Sequence, residues 1–271
     1  MKTFVISLRT AKSRRVAAAR QLEKCGLDFE FFAAVDGSCF SRYVNGFDRW
    51  QFRLNTRRDP LPGELGCYAS HVALWRVCVD MAQPIVVLED DFELNPEFRD
   101  VIAELETLVS TFGYIRLEPS ERRRSMFKRL QPDSYDVLRF NDRILKYLSD
   151  PPLCMLAYAI SLEAAASLLK ASGTLSAPVD KFLQRTWEHE TPIFALSPAI
   201  VRHADHAASS TIGDRSRKSR NPYLLLRRLI YKALGEVRRY KFDARQLRLL
   251  GLRHAHADTF ARQLTFNDQP K

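Results

Sequence analysis

Pro84-Ile85-Val86-Val87-Leu88-Glu89-Asp90-Asp91 is the stretch that decides the fold class. A proline opens four aliphatic residues that favour extended backbone, so the run predicts a strand buried on both faces, and it stops at three carboxylates. Upstream, Glu64 to Ala82 repeats its apolar residues at helical spacing and predicts a helix. Thr3 to Leu8 and Phe29 to Val35 predict two earlier strands, and between them Ala11 to Cys25 predicts a helix closed by Gly26. Strand, helix, strand, helix, strand within ~90 residues is the pattern of an α/β fold with a mostly parallel central sheet.

Working outward, residues 38–62 show no period and read as a long loop ending at Pro60 and Pro62. Glu97 to Ser110 predicts a helix, Tyr114 to Leu117 a strand, and 121–129 a charged loop. Short strands are expected around 137–140, 144–148 and 155–160, then a helix opening at Ser161, a short helix over Val179 to Glu188, and strands at 193–196 and 199–201. After Asp214 the chain turns into a basic, Leu-rich helix. The expected organisation is therefore a body over residues 1–212 and a basic helical tail over 213–271.

The 271 residues are 46% apolar and 27% charged, a globular composition that excludes a disordered or low-complexity chain. The net charge of +10 is concentrated in the tail: Arg215 to Arg253 holds 13 Lys or Arg against Glu236 and Asp243 alone, leaving the rest near neutral. Five scattered cysteines without a C-x-x-C pair argue against a disulfide framework or a structural zinc site, and are expected to be buried, reduced thiols. The apolar run Phe4 to Leu8 is too short for a signal-peptide core, and no uncharged run approaches the ~20 residues of a membrane span. The expected location is the cytoplasm, with any membrane contact peripheral.

Glu89-Asp90-Asp91 repel one another and have no basic neighbour in the local sequence. Ligands of open α/β sheets bind beyond the carboxyl ends of strands, where clustered oxygens suit Mg²⁺ or Mn²⁺ bridging to phosphates. The other reading is a solvated turn or a helix start, where acids are favourable. In the preceding helix Cys67, His71, Trp75 and Cys78 share one face, either as a core stripe with a satisfied histidine or as part of a site. Gly63 and Gly66 near its start suggest close approach of a backbone or a ligand.

Taken together, Val5-Ile6-Ser7-Leu8 with Arg14-Arg15, Phe31-Phe32-Ala33-Ala34-Val35-Asp36-Gly37, Glu64-Leu65-Gly66-Cys67 with Ser70-His71 and Leu74-Trp75, Leu88-Glu89-Asp90-Asp91, and Pro178-Val179-Asp180 match a known pattern in order and spacing. The chain resembles the family 25 glycosyltransferases of the bacterial lipooligosaccharide galactosyltransferase type over roughly residues 1–212. The resemblance implies a glycosyltransferase A-type fold that binds a UDP-sugar, with a D-x-D-like motif holding Mn²⁺ or Mg²⁺ against the diphosphate. It assigns Asp91 as the leading metal ligand. Glu89 is either a second ligand or a ribose contact, and Asp90 supports the site. Ser7, Asp36 and His71 are carried over to the donor side; Asp36 can accept the uracil imide hydrogen, or it can be a plain Asp-Gly turn.

An inverting hexosyl transfer, of galactose by resemblance, needs a base for the acceptor hydroxyl. Asp180 is the candidate, against the simpler reading of a first-turn helix acid, and Glu118 is the reserve. His203 and His206 follow a short strand and are either a completing metal ligand or surface histidines. The tail interleaves Leu224 to Leu226, Leu229, Ile230 and Leu234 with Arg227, Arg228 and Lys232, which reads as a membrane-surface helix on the cytoplasmic face of the inner membrane, suited to a lipid-linked surface-glycan acceptor. The rival readings are another metal-dependent nucleotide enzyme such as a nucleotidyltransferase, and a basic nucleic-acid-binding protein; the near-neutral body argues against nucleic acid.

Overall fold

A computed structural model describes residues 1–120, 132–140, 142–204, 219 and 221–252. The chain begins β1 (Lys2–Ser7), α1 (Lys12–Lys24), β2 (Phe29–Ala33), followed by a 3-10 turn (Gly37–Arg42), β3 (Gly46–Phe47) and α2 (Arg49–Thr56). It continues α3 (Pro62–Asp80), β4 (Ile85–Glu89), β5 (Phe92–Leu94), α4 (Phe98–Phe112), β6 (Tyr114–Arg116), β7 (Ser134–Phe140) and β8 (Arg143–Leu148). The last elements are β9 (Ala157–Ile160), α5 (Leu162–Ala171), β10 (Thr174–Leu175), α6 (Val179–Gln184), α7 (Thr186–His189), β11 (Ile193–Ser197), β12 (Val201–His203) and α8 (Pro222–Leu249).

Eight strands form one sheet in the order β2-β1-β4-β9-β6-β11-β8-β7. β1 pairs in parallel with β2 and β4, and β6 with β11, whereas β9 and β8 run against their neighbours. Successive residues of β4 serve opposite faces, as the two-residue period of a strand requires. Ile85 and Val87 join a core with Tyr68, Val72 and Trp75 of α3 and Leu168 of α5; Val86 and Leu88 join a second core with Leu22 of α1 and Phe98 and Leu105 of α4. Helices therefore cover both faces, which is why β4 is apolar from Ile85 to Leu88.

α3 is the central helix. Every residue from Tyr68 to Trp75 is buried, because the sheet lies on one side while α5, α6 and the 3-10 turn close the other. Its start is wedged against the end of β2. A Cβ on Gly66 would stand 2.4 Å from the Val35 carbonyl oxygen, and one on Gly37 would stand 2.0 Å from that of Pro62. The close approach expected at Gly66 is thus to backbone.

Three expectations change. Residues 38–62 are not a loop: Asp48 caps α2 by accepting a hydrogen bond from the Gln51 N–H at 2.8 Å, and a helix of two turns is too short to display a period. The helix expected over Val179 to Glu188 breaks at Arg185, whose ψ of 58° leaves the helical region. Of the five cysteines, none in a disulfide, only Cys78 is buried; the other four are half-buried. The charged stretch 121–129 and His206 lie outside the described residues.

α8 follows its cap Asn221 and lies along α2 and α7. Leu224, Phe242 and Leu247 are buried against the body, and the Tyr147 hydroxyl donates to the buried Asp243 carboxylate at 2.6 Å. No helix among the described residues is long and apolar enough to cross a membrane.

Candidate active site

The parallel strands β1, β2 and β4 end at one edge of the sheet, and their termini carry Ser7, the turn at Asp36 and the triplet Glu89-Asp90-Asp91. Strand register sets Ile6 beside Glu89, so Ser7 reaches the following residue: its Oγ donates to Asp90 Oδ2 at 2.6 Å. Arg14, from the first turn of α1, meets the other Asp90 oxygen at 2.9 Å. Burial pushes the Asp90 carboxyl above its ordinary range, and Ser7 and Arg14 oppose that shift without cancelling it.

Each carboxylate of the triplet has a different set of partners. Asp91 faces β12, which pairs with β5 and so brings His203 alongside; His203 Nδ1 lies 3.8 Å from Asp91 Oδ2, and its Nε2 lies 3.4 Å from Cys154 Sγ. Burial would raise the Asp91 carboxyl, but His203, helped by a backbone hydrogen bond and by Arg14, outweighs it and holds the group below the usual range. Asp91 and Cys154 in turn raise His203 to about 10, so the pair is charged at neutral pH. Asp91 Oδ1 is buried and has no hydrogen-bond partner. Glu89 instead points at α3. Its Oε1 is 3.5 Å from His71 Nε2 and 3.9 Å from Cys67 Sγ.

His71 is fully buried, with Nδ1 3.0 Å from the Tyr158 hydroxyl, and that hydroxyl also accepts from Trp75 Nε1 at 3.1 Å. Burial raises the Tyr158 phenol far above its ordinary range, so it stays neutral. Asp36 is exposed and occupied as the cap of the 3-10 turn, accepting from the Ser38 N–H at 2.8 Å and from its hydroxyl at 2.6 Å; these bonds lower its carboxyl.

The two candidate bases stand in unlike settings. Glu118 follows β6 and is 1% exposed, in an ion pair with Arg116 at 2.5 Å and accepting the Ala157 N–H at 3.1 Å. Burial nonetheless leaves its carboxyl raised. Asp180 is half-buried in the first turn of α6, accepts the Lys181 N–H at 2.7 Å, and interacts electrostatically with Arg58, which grips Glu64 of α3 through both carboxylate oxygens. Asp180 therefore belongs to the α2–α3–α6 corner.

Two clefts flank these groups. One of about 720 Å³ runs along β12 past Pro119 and Ile200, and one of about 760 Å³ lies between α2 and α8 and is lined by Trp50, Tyr223 and Arg57. Neither is lined by the triplet. Sequence reasoning missed Cys154, which sits in an irregular segment and meets His203 only through the fold. It named Arg116 only as part of Arg116-Leu117-Glu118, without a role, and left Tyr158 unmarked, because it reads locally as an ordinary strand residue.

The fold and its strand-end carboxylates define a mixed α/β protein with a polar, titratable site at the carboxyl edge of its sheet. A family model described as glycosyltransferase family 25 (LPS biosynthesis protein) matches residues 1–183, and the chain belongs to that family. A glycosyltransferase 25 family member of Drosophila melanogaster is 26% identical over 238 residues, covering 74% of this chain and 35% of the relative. Procollagen galactosyltransferase 2 of mouse is 28% identical over 191 residues, covering 66% and 29%. A Haemophilus influenzae protein named as a candidate glycosyltransferase is 25% identical over 223 residues, covering 77% of this chain and 74% of its own. This chain thus spans about a third of the length of the animal relatives it matches.

Proposed function

We propose that the chain is an inverting hexosyltransferase with a glycosyltransferase A-type donor site, moving galactose from UDP-galactose to a surface-glycan acceptor of the lipooligosaccharide kind. The observation that carries the reading is the strand-end Asp91, ionised beside a charged His203 and holding one buried oxygen without a partner, in a chain of family 25. Mouse procollagen galactosyltransferase 2 supports the choice of galactose, and the description of the family supports the class of acceptor.

The donor set fits a hard divalent cation in part. The unpartnered Asp91 oxygen is the right chemistry for Mn²⁺ or Mg²⁺, and His203 becomes a ligand only on losing its proton. A cation held there would offset charge on the departing diphosphate. The protein's own groups do the rest. Ser7 and Arg14 fix Asp90 for a place beneath the donor, and the exposed Asp36 is assigned to the nucleotide base. Asp180 takes the proton of the acceptor hydroxyl as that oxygen bonds to the anomeric carbon and the bond to UDP breaks on the opposite face. Glu118, sealed behind Arg116, is less accessible for that step. Purified chain given UDP-galactose, Mn²⁺ and a truncated lipooligosaccharide should release UDP. Asp180→Asn should lower that rate by at least about a hundredfold with donor-induced thermal stabilisation unchanged. Equal turnover by the variant removes Asp180 from the role, and turnover of nucleoside triphosphates with release of pyrophosphate, in place of UDP release from the sugar nucleotide, favours a nucleotidyltransferase.

The proposed location is the cytoplasmic face of the inner membrane. Leu226, Leu229, Ile230, Leu234 and Val237 are each more than half exposed along α8, with Arg227, Lys232 and Arg238 among them. Such a face suits an anionic leaflet. Removing α8 would uncover the core that Phe242 and Leu247 close, so substitution is the better test than truncation. Leu226→Gln/Leu229→Gln/Ile230→Gln should stay folded and lose co-flotation with anionic vesicles; flotation equal to the parent chain removes the membrane surface as a partner.

A further inference from the structure

Cys67 and His71 stand one turn apart on α3, and Glu89 closes β4 opposite them. One donor atom from each lies within 4.8 Å of the other two, the only such set of three among the described residues. His71 Nε2 is the informative atom: it is fully buried, aimed at Glu89, and has no hydrogen-bond partner, because 3.5 Å to Oε1 is too long for a good one. An imidazole nitrogen sealed from water and left unsatisfied is costly unless something binds it.

We propose that Cys67, His71 and Glu89 form a binding site for a thiophilic divalent cation of the zinc type, distinct from the Asp91 position. The geometry is close to what such an ion needs. With Zn–S of ~2.3 Å and Zn–N and Zn–O of ~2.0–2.2 Å, tetrahedral ligands stand ~3.4–3.6 Å apart; the N–O separation is 3.5 Å and the S–O separation 3.9 Å. A thiolate and a carboxylate together balance the charge of a divalent ion, so its partial burial leaves no net charge uncompensated. The ring is already oriented, since its Nδ1 is held by Tyr158, itself held by Trp75, as the outer partners of metal-bound histidines hold theirs. Sulfur and nitrogen donors select zinc or cobalt over magnesium or manganese. The half-exposed Glu89 leaves a way in and a fourth position for water.

The chelator-treated chain should take up one Zn²⁺ in competition with a chromophoric chelator, and Co²⁺ in its place should give a thiolate-to-cobalt charge-transfer band. Cys67→Ala should abolish the band and weaken Zn²⁺ by at least about a hundredfold. Asp91→Asn should leave both unchanged, and excess Mn²⁺ should not displace the zinc. Cys67 is half-buried, so its alanine variant should fold; circular dichroism and the chain's melting profile check this. Zinc affinity indifferent to Cys67→Ala, a cobalt complex without the thiolate band, or loss of zinc in Asp91→Asn would each overturn the assignment.

Discussion

Asp91→Asn is expected to lower kcat/KM for UDP release by at least about a hundredfold, some 3 kcal/mol of transition-state stabilisation, while the protein stays folded. The amide keeps the size and one acceptor of the carboxylate but removes the negative charge that His203 holds in its ionised form despite burial. Stability should move little. About a quarter of the Asp91 side chain is exposed, and an ion pair at 3.8 Å in that setting contributes under ~1 kcal/mol. Asp90→Asn is the contrasting control. Its oxygen can still accept from Ser7, only Arg14 loses its partner, and turnover should fall within about tenfold. A thermal-shift titration with UDP and Mn²⁺ separates the possibilities further: Asp91→Asn should lose the metal-dependent part of the nucleotide shift and Asp90→Asn should keep it. Turnover by Asp91→Asn at the parent rate would end the reading of this residue as the cation's ligand.

The elements that the sequence made legible are those whose neighbours in space are neighbours in pattern. Ile85 to Leu88 had to be a strand covered on both faces, and it lies between β1 and β9 with a core on each side. Glu64 to Ala82 had to be a helix, but its register alone left open whether His71 was satisfied. The answer came from Tyr158, 87 residues away, which holds Nδ1 and leaves Nε2 bare. The triplet was legible as a strand-end cluster and illegible as a geometry. Three adjacent acids look alike on paper, yet Arg14, His203 and Cys67 with His71 give each a separate partner, and each partner arrives from a different element. α2 was invisible for a local reason: two turns, one cap and no repeat. Charge in the tail was plain, whereas the docking of α8 through Phe242, Asp243 and Leu247 depends on a complementary body that no tail pattern reveals.

Arg116→Met should be strongly destabilising, costing about 3–5 kcal/mol near neutral pH, because it strands the Glu118 carboxylate in the interior. Both side chains are 2% exposed, and Arg116 also donates to the Pro152 carbonyl at 3.0 Å, tying down the segment that leads to Cys154. Methionine fills much of the guanidinium's volume, so the loss is chiefly electrostatic. The sign of the pH dependence follows from Glu118. Burial already raises its carboxyl in the folded chain, and Arg116 is the main opposing influence; without Arg116 the folded value rises further above the unfolded one. A group raised in the folded state contributes stability below its unfolded value, near pH 4.3, and loses it as pH rises through the folded value. The variant's deficit against the parent chain should therefore shrink on acidification from pH 8 toward pH 5. Glu118→Gln placed on Arg116→Met should recover most of the loss at pH 8, since a neutral amide can still accept the Ala157 N–H and carries no charge to bury. Denaturant melts at the two pH values measure this. If the deficit is flat with pH, or the double variant is no better than the single, then the cost lies in the lost bond to Pro152 and not in the stranded charge.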